Sequence, residues 1–121
     1  MASQTRYLRI YAGADGESHF DEVAVELLPG PSASDLSALI PAKGVIFRRS
    51  AADQNVDYHP APRRQFVVTL AGEAEMVASD GEMRRLGPGT VLLVEDTTGR
   101  GHITRAVEGR GERLSLFIPL E

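Results

Sequence analysis

Two histidines and a glutamine stand beside strand-like segments of the chain. His59 lies in the stretch YHPAPRRQFVVTL, where Gln65 opens the apolar run. His102 follows the segment GRG at 99–101 and opens a second strand-like segment. An imidazole titrates near neutral pH, so it can transfer protons in a cavity, and in its neutral form it can bind a metal ion. His59 and His102 can therefore do chemistry if the fold places them in a cavity.

Two arginine pairs lie near these residues, Arg48-Arg49 and Arg63-Arg64. Successive side chains of a strand point to opposite faces, so only one arginine of each pair can face an interior. This parity places Arg63 on the side of Gln65, and we take Arg48 as the inward member of the first pair. An inward guanidinium would bind a carboxylate or enolate of a ligand. The alternative is that these arginines lie on the surface and pair with acidic residues.

The elements that must position these groups are predicted to be short strands separated by Gly- and Pro-rich turns. Asp80-Gly81 has the composition of a type I′ hairpin turn. Helical signals are confined to residues 31–42, where a single turn could form before Pro41. The predicted strands cover residues 6–12, 20–28, 45–49, 65–70, 73–79, 82–86, 91–94, 102–108 and 113–120. This spacing is typical of one all-β domain, a sandwich or a closed barrel.

Strand alternation also predicts which side chains share a face. In QFVVTL, Gln65, Val67 and Thr69 lie on one face of the strand. In the segment that His102 opens, Thr104 lies on the same face as the histidine. If these faces enclose a pocket, then Gln65, Val67 and Thr104 are ligand-contacting residues, together with Arg48 and Arg63.

Bulk composition excludes several classes of function. The chain has 121 residues, enough for one domain with a real core, and a net charge of −4. It therefore lacks the basic field that binds nucleic acid or anionic lipid. The absence of cysteine excludes disulfides and thiolate chemistry and fits a cytoplasmic location. We expect neither a signal peptide nor a membrane span, because no apolar run approaches about 18 residues.

The order of these features resembles the cupin superfamily. His59, Gln65, the apolar strand and Gly72-Glu73 are similar to the first cupin motif. The run LGPGTV at 86–91 and the loop before Gly101-His102 are similar to the second. The resemblance implies a double-stranded β-helix, the cupin jelly-roll barrel, over residues 44–121. Residues 1–43 would add N-terminal strands to the same domain. The family also implies a homodimer, paired through exchanged N-terminal strands, and a pocket between the two sheets.

Three hypotheses follow from the ways in which this sequence departs from the metal-binding cupin pattern. Ala61 stands where that pattern has its second histidine, and Gln65 where it has glutamate. The first hypothesis is a barrel without a metal cofactor that binds a small organic molecule, as a lyase, isomerase or cyclase using His59 and His102. The second is a dioxygenase-type enzyme whose Fe, Mn, Ni or Zn is held by His59, Gln65 and His102. The third is a non-enzymatic ligand-binding or sensor module.

Overall fold

The structure is a computed structural model that describes residues 3–121. Those residues form eleven strands and no helix, which confirms the predicted all-β class. The strands are β1 (Ser3–Ala12), β2 (Ser18–Pro29), β3 (Asp35–Leu36), β4 (Ile46–Ser50), β5 (Asn55–His59), β6 (Gln65–Ala71), β7 (Ala74–Ala78), β8 (Met83–Leu86), β9 (Val91–Glu95), β10 (His102–Ala106) and β11 (Arg113–Pro119). Among residues 3–121 there is accordingly no helix with the length and apolarity that a membrane crossing requires.

The strands form two sheets that enclose the core. The larger sheet has the order β3-β2-β1-β9-β6-β11-β4, and the smaller has the order β5-β10-β7-β8. All pairings are antiparallel except that of β1 with β9. The segments 60–64 and 96–101 connect the sheets at one end of the barrel. The segments 51–54, 72–73, 87–90 and 107–112 connect them at the other.

The core lies between the inward faces of the two sheets. Ile10, Leu92 and Val94 of the larger sheet are buried in it, and Met76 and Leu86 of the smaller sheet pack with them. In β7, and in β6 as far as Thr69, every second side chain is buried, because one face of each strand lines the interior and the other faces outward. Removing these apolar side chains from water is the main force that holds the sheets together.

Two local predictions are wrong. Residues 31–42 contain no helical turn: Ser32 and Ala33 adopt positive φ values of 57° and 55°, and Asp35–Leu36 instead pairs with β2. The β7–β8 turn does contain Asp80-Gly81, but it is not of type I′. That type needs positive φ at both central residues, and among these two only Gly81 has it, with φ of 101°.

The N-terminal strand β1 and the strand β4 differ in how they join the larger sheet. β1 pairs within its own chain with β2 and β9, so the N-terminal strands are an integral part of this sheet. β4 forms an edge and pairs with β11 alone. Its outward side chain Phe47 is 72% exposed, and Val45 and Ile46 beside it are also exposed. The homodimer implied by the family resemblance stays a prediction.

Candidate functional site

A cavity of about 130 Å³ lies between the two sheets. Its apolar lining includes Val56, Met76, Leu86, Val94 and Phe117. Its polar lining comes from both sheets and comprises Arg48, Gln54, His59, Gln65, Thr69, His102, Thr104 and Arg113. A concave, mostly apolar site with a few polar groups is the usual form of a small-molecule site.

His59 and His102 lie side by side in this cavity. They are cross-strand partners at the end of β5 and the start of β10, and their ring centroids are 4.7 Å apart. Nδ1 of His59 is 2.9 Å from the carbonyl oxygen of Asp57, so this nitrogen carries the proton and donates it. Nε2 of His59 is then the nitrogen that is free to accept a proton.

A β-bulge sets the position of His59. His102 pairs with His59 and Thr104 pairs with Val56, so three steps along β5 correspond to two along β10. The extra residue lies in β5 at Asp57-Tyr58, opposite Ile103. In a regular strand, side chains three residues apart face opposite sides. Because of the bulge, Val56 and His59 both line the cavity.

Asp96 fixes the orientation of the His102 ring through a contact with Nδ1. Its Oδ2 is 2.5 Å from His102 Nδ1, and the Asp96 side chain is fully buried. The loop that carries Asp96 is anchored because the Ala61 N–H donates to the Asp96 carbonyl at 2.9 Å. The carboxylate accepts the Nδ1 proton, so Nε2 of His102 is available for proton transfer. A carboxylate in this position also stabilises the imidazolium that forms when Nε2 takes a proton.

The start of β10 is fixed by close backbone packing. Gly101 has φ of 75°, and a Cβ at this position would collide with the carbonyl of His59. The carbonyl of Gly101 accepts a hydrogen bond of 2.7 Å from the buried Ser18 hydroxyl. Only glycine fits this close approach, which brings the backbones of the two histidine-bearing strands together.

The opposite end of the cavity carries arginine. Arg113 begins β11, and its cross-strand partner is Ser50 of β4. Its side chain is only 7% exposed. Burial, and secondarily the charge of Arg48, lower the pKa of Arg113. Arg48 itself lines the cavity mouth, with its guanidinium 4.9 Å from the ring centroid of Phe117. The cavity therefore has a cationic end and an imidazole end.

The structure brings most of the predicted site residues together. His59, His102, Gln65, Val67, Thr104 and Arg48 all line the cavity. Arg63 does not; it is exposed in the segment 60–64, which is not a strand, so the parity that placed it beside Gln65 does not apply there. Its neighbour Arg64 donates from Nε to Glu95 at 2.6 Å on the outside of the barrel.

Two site residues were missed from the sequence, Asp96 and Arg113. The signal for Asp96 was an acidic residue in the loop that precedes His102. Arg113 had no local signal, because it reaches the cavity only through the pairing of β11 with β4.

The third histidine, His19, lies at the start of β2 among Gly, Ser and Asp residues, a setting that by itself predicts a solvated side chain. It contacts Asp15 at 3.0 Å and Asp80 at 2.9 Å, away from the cavity. The pKa of His19 is raised, mainly by the hydrogen bond to Asp15.

The cavity residues do not fit a tightly bound divalent metal ion. Among residues 3–121 no three His, Asp or Glu side chains converge to hold one. Gln65 offers a neutral amide oxygen, Oε1, which has no hydrogen-bond partner among the described residues. The Asp96 carboxylate is held behind His102, and Glu75 pairs outside the cavity with Arg105 at 3.2 Å. Arg48 and Arg113 add positive charge to the same cavity.

Solved structures share this architecture. The cupin domain of Schizosaccharomyces pombe Cnp3 matches 98% of this chain and 84% of that chain, with a TM-score of 0.51 and 12% identity. An RmlC-like cupin protein from Desulfovibrio desulfuricans gives a TM-score of 0.45 at 23% identity, over 62% of this chain and 69% of that one.

The iron(II) form of HppE in complex with substrate gives a TM-score of 0.47 at 17% identity. That match covers 63% of this chain and 44% of HppE, so the chain spans less than half the length of that relative. No protein-family model matches the chain, and no curated protein matches it significantly. At these identities the likeness shows the fold alone, and the fold of this chain is the cupin fold.

Proposed function

We propose that this protein binds a small organic molecule inside the barrel and moves a proton on it with His102 and His59, without a metal cofactor. The observation that carries the proposal is the buried contact of 2.5 Å between Asp96 and His102 Nδ1. An imidazole oriented by a carboxylate, and placed in a mostly apolar cavity, is suited to general acid–base catalysis.

The two imidazoles have different roles in proton transfer. Asp96 accepts the Nδ1 proton of His102 and leaves Nε2 free, so we assign His102 as the base that removes a proton from the bound molecule. His59 has only a neutral carbonyl as its partner. It lies 4.7 Å from the His102 ring, close enough for both to contact one small molecule. His59 accepts the abstracted proton from His102 at Nε2 and delivers it to a neighbouring atom of the same molecule, or to the hydroxide that leaves it. Isomerisation, elimination of water and ring closure can all use such a pair.

The proposal is tested by proton exchange, because this assay does not require the complete reaction to be known. The purified protein is incubated in D₂O with a panel of small 2-oxo and 3-hydroxy acids, and NMR follows deuterium entering their C–H positions. Wild-type protein is expected to catalyse exchange on at least one compound. Against this compound, His102→Ala and Asp96→Asn should lose on the order of 10²-fold or more in rate, as is usual for a positioned base. Exposed Asp53 provides the control variant Asp53→Asn, which should keep the wild-type rate.

The same preparation separates this proposal from its rivals. Near-stoichiometric iron, manganese, nickel or zinc in protein purified without chelator would favour the metal-dependent alternative, with His59, Gln65 and His102 as ligands. Exchange that survives in His102→Ala would refute the assigned base. If panel compounds bind but no exchange occurs with any of them, the barrel is a binding or sensor module instead.

A further inference from the structure

The guanidinium of Arg113 is buried without a counter-ion. The residue is 7% exposed, and its Nε has no hydrogen-bond partner among the described residues. Neither Arg113 nor Arg48 forms an ion pair with any acidic group in residues 3–121, although most other arginines of the chain do. Buried charges in proteins are nearly always paired, because desolvation of an unpaired ion costs several kcal/mol. The positive charge at the Arg113 end of the cavity is thus not balanced by any acidic group of the described residues.

The surroundings of Arg113 add no negative charge. Ser50 and Ser115 flank it. Both hydroxyls are neutral groups, and neither has a hydrogen-bond partner among residues 3–121. Arg48 is near enough to lower the pKa of Arg113, which shows a second positive charge at the same end. Two guanidinia, one of them desolvated, form a site for an oxyanion.

The fold separates this end from the histidines. Arg113 lies where the segments 51–54 and 107–112 connect the sheets, and the histidines lie beside the segments 60–64 and 96–101. On β11, Pro119, the partner of Gln65, lies six positions after Arg113, which is a backbone separation of about 20 Å along the strand. The Arg113 side chain lines the cavity within this separation, so a ligand has less than that length to span. The cavity between them is lined by Val67, Val94 and Phe117, so a ligand needs an apolar middle part.

From this arrangement we propose that the substrate is a small organic carboxylate. Its carboxylate binds Arg113 and Arg48, its apolar body lies between the sheets, and its reacting carbon lies at His59 and His102. The planar fork of a guanidinium matches the two oxygens of a carboxylate. A cavity of about 130 Å³ with a largely apolar lining suits a short acid better than a bulky phosphate ester. The inference rests on the proposed function only in placing the ligand in this cavity.

The experiment compares acids with uncharged molecules of the same shape. Titration calorimetry measures binding of hexanoate and benzoate, of hexanamide and benzamide, and of inorganic phosphate. Wild-type protein should bind at least one acid more than tenfold more tightly than its amide, because charge-assisted hydrogen bonds are about twice as strong as neutral ones. Equal affinity for acid and amide, or binding of neither, would overturn the proposal. Binding of phosphate alone would show an anion site of a different class and would also overturn it.

Three variants locate the site. Arg113→Gln and Arg48→Gln should each weaken binding of the acid by on the order of tenfold or more and leave the amide unchanged. Arg49, the exposed neighbour of Arg48 on β4, provides the matched control Arg49→Gln with wild-type affinity. Full affinity for the acid in Arg113→Gln would place the anion elsewhere. If Arg113→Gln does not fold, the wild-type preference and Arg48→Gln still decide the matter.

This result is independent of the catalytic assignment. Selective binding of acids without proton exchange would leave the carboxylate site in place and refute the acid–base function. Proton exchange that is unaffected in Arg113→Gln would leave the function in place and refute the carboxylate site.

Discussion

The substitution Asp96→Asn tests the organisation of the site most directly. It keeps the size of a fully buried side chain and replaces the carboxylate behind His102 with an amide. If the amide N–H₂ faces His102 Nδ1, that nitrogen must accept, and the ring proton moves to Nε2. If instead the amide oxygen faces Nδ1, the hydrogen bond stays but loses its charge.

The magnitude follows from the kind of hydrogen bond that is lost. A hydrogen bond to a charged group contributes about 1.5–3 kcal/mol, and a neutral one about 0.5–1.5 kcal/mol. The substitution Asp96→Asn should therefore lower the free energy of unfolding by roughly 1–2 kcal/mol. For a domain of this size, about 4 °C per kcal/mol gives a fall in melting temperature of roughly 4–8 °C. Proton exchange should fall further, by roughly 10²–10⁴-fold, because the imidazole is in the wrong tautomer or poorly oriented.

Two measurements check this reasoning. Urea unfolding gives the free energy, and long-range ¹H–¹⁵N spectra of histidine-labelled protein report which ring nitrogen of His102 carries the proton. Asp53→Asn, an exposed change of the same chemistry, should alter neither. The reasoning is refuted if Asp96→Asn melts within 1 °C of wild type and His102 keeps its proton on Nδ1.

Three further outcomes are expected. Gly101→Ala should cost several kcal/mol in urea unfolding because its Cβ meets the His59 carbonyl. Gly109→Ala, at a similar φ of 81° in open space, should cost only about 1 kcal/mol, and equal losses would contradict the packing argument. The raised pKa of His19 stabilises the fold fully below its unfolded value of about 6.5. As pH rises through the raised pKa, wild type should lose its advantage in melting temperature over His19→Gln, and a pH-independent difference would exclude the contact with Asp15. Finally, dialysis against a chelator should leave the melting temperature and acid binding unchanged, whereas a fall restored by added metal would contradict the metal-free site.

The fold was predictable because its signals are local and repeated. Turn residues recur at short intervals, and the alternation of Gln65, Val67 and Thr69 in QFVVTL appears as alternating burial in β6. The pairing of His59 with His102 was predictable only through the family resemblance, because 43 positions separate them in the chain. Their chemical roles stay a prediction.

The remaining site residues could not be found in this way, for physical reasons. Arg113 lines the cavity because of its place in a cross-strand pair with Ser50, a contact between distant parts of the chain. Asp96 lies in a loop, where no periodicity indicates which way a side chain points. Arg63 shows the converse error, because strand parity was extended from Gln65 back into the segment 60–64, which is not a strand.

The bulge in β5 has a consequence for how this gene can change. Inserting or deleting one codon within a strand normally reverses the facing of every side chain up to the next turn. At Asp57-Tyr58 the strand already holds one residue more than its partner. Loss of a single codon there would leave Val56 and His59 two positions apart in a regular strand, so both side chains would still face the cavity. Relatives that are one residue shorter at this point would then share both the architecture and the paired imidazoles.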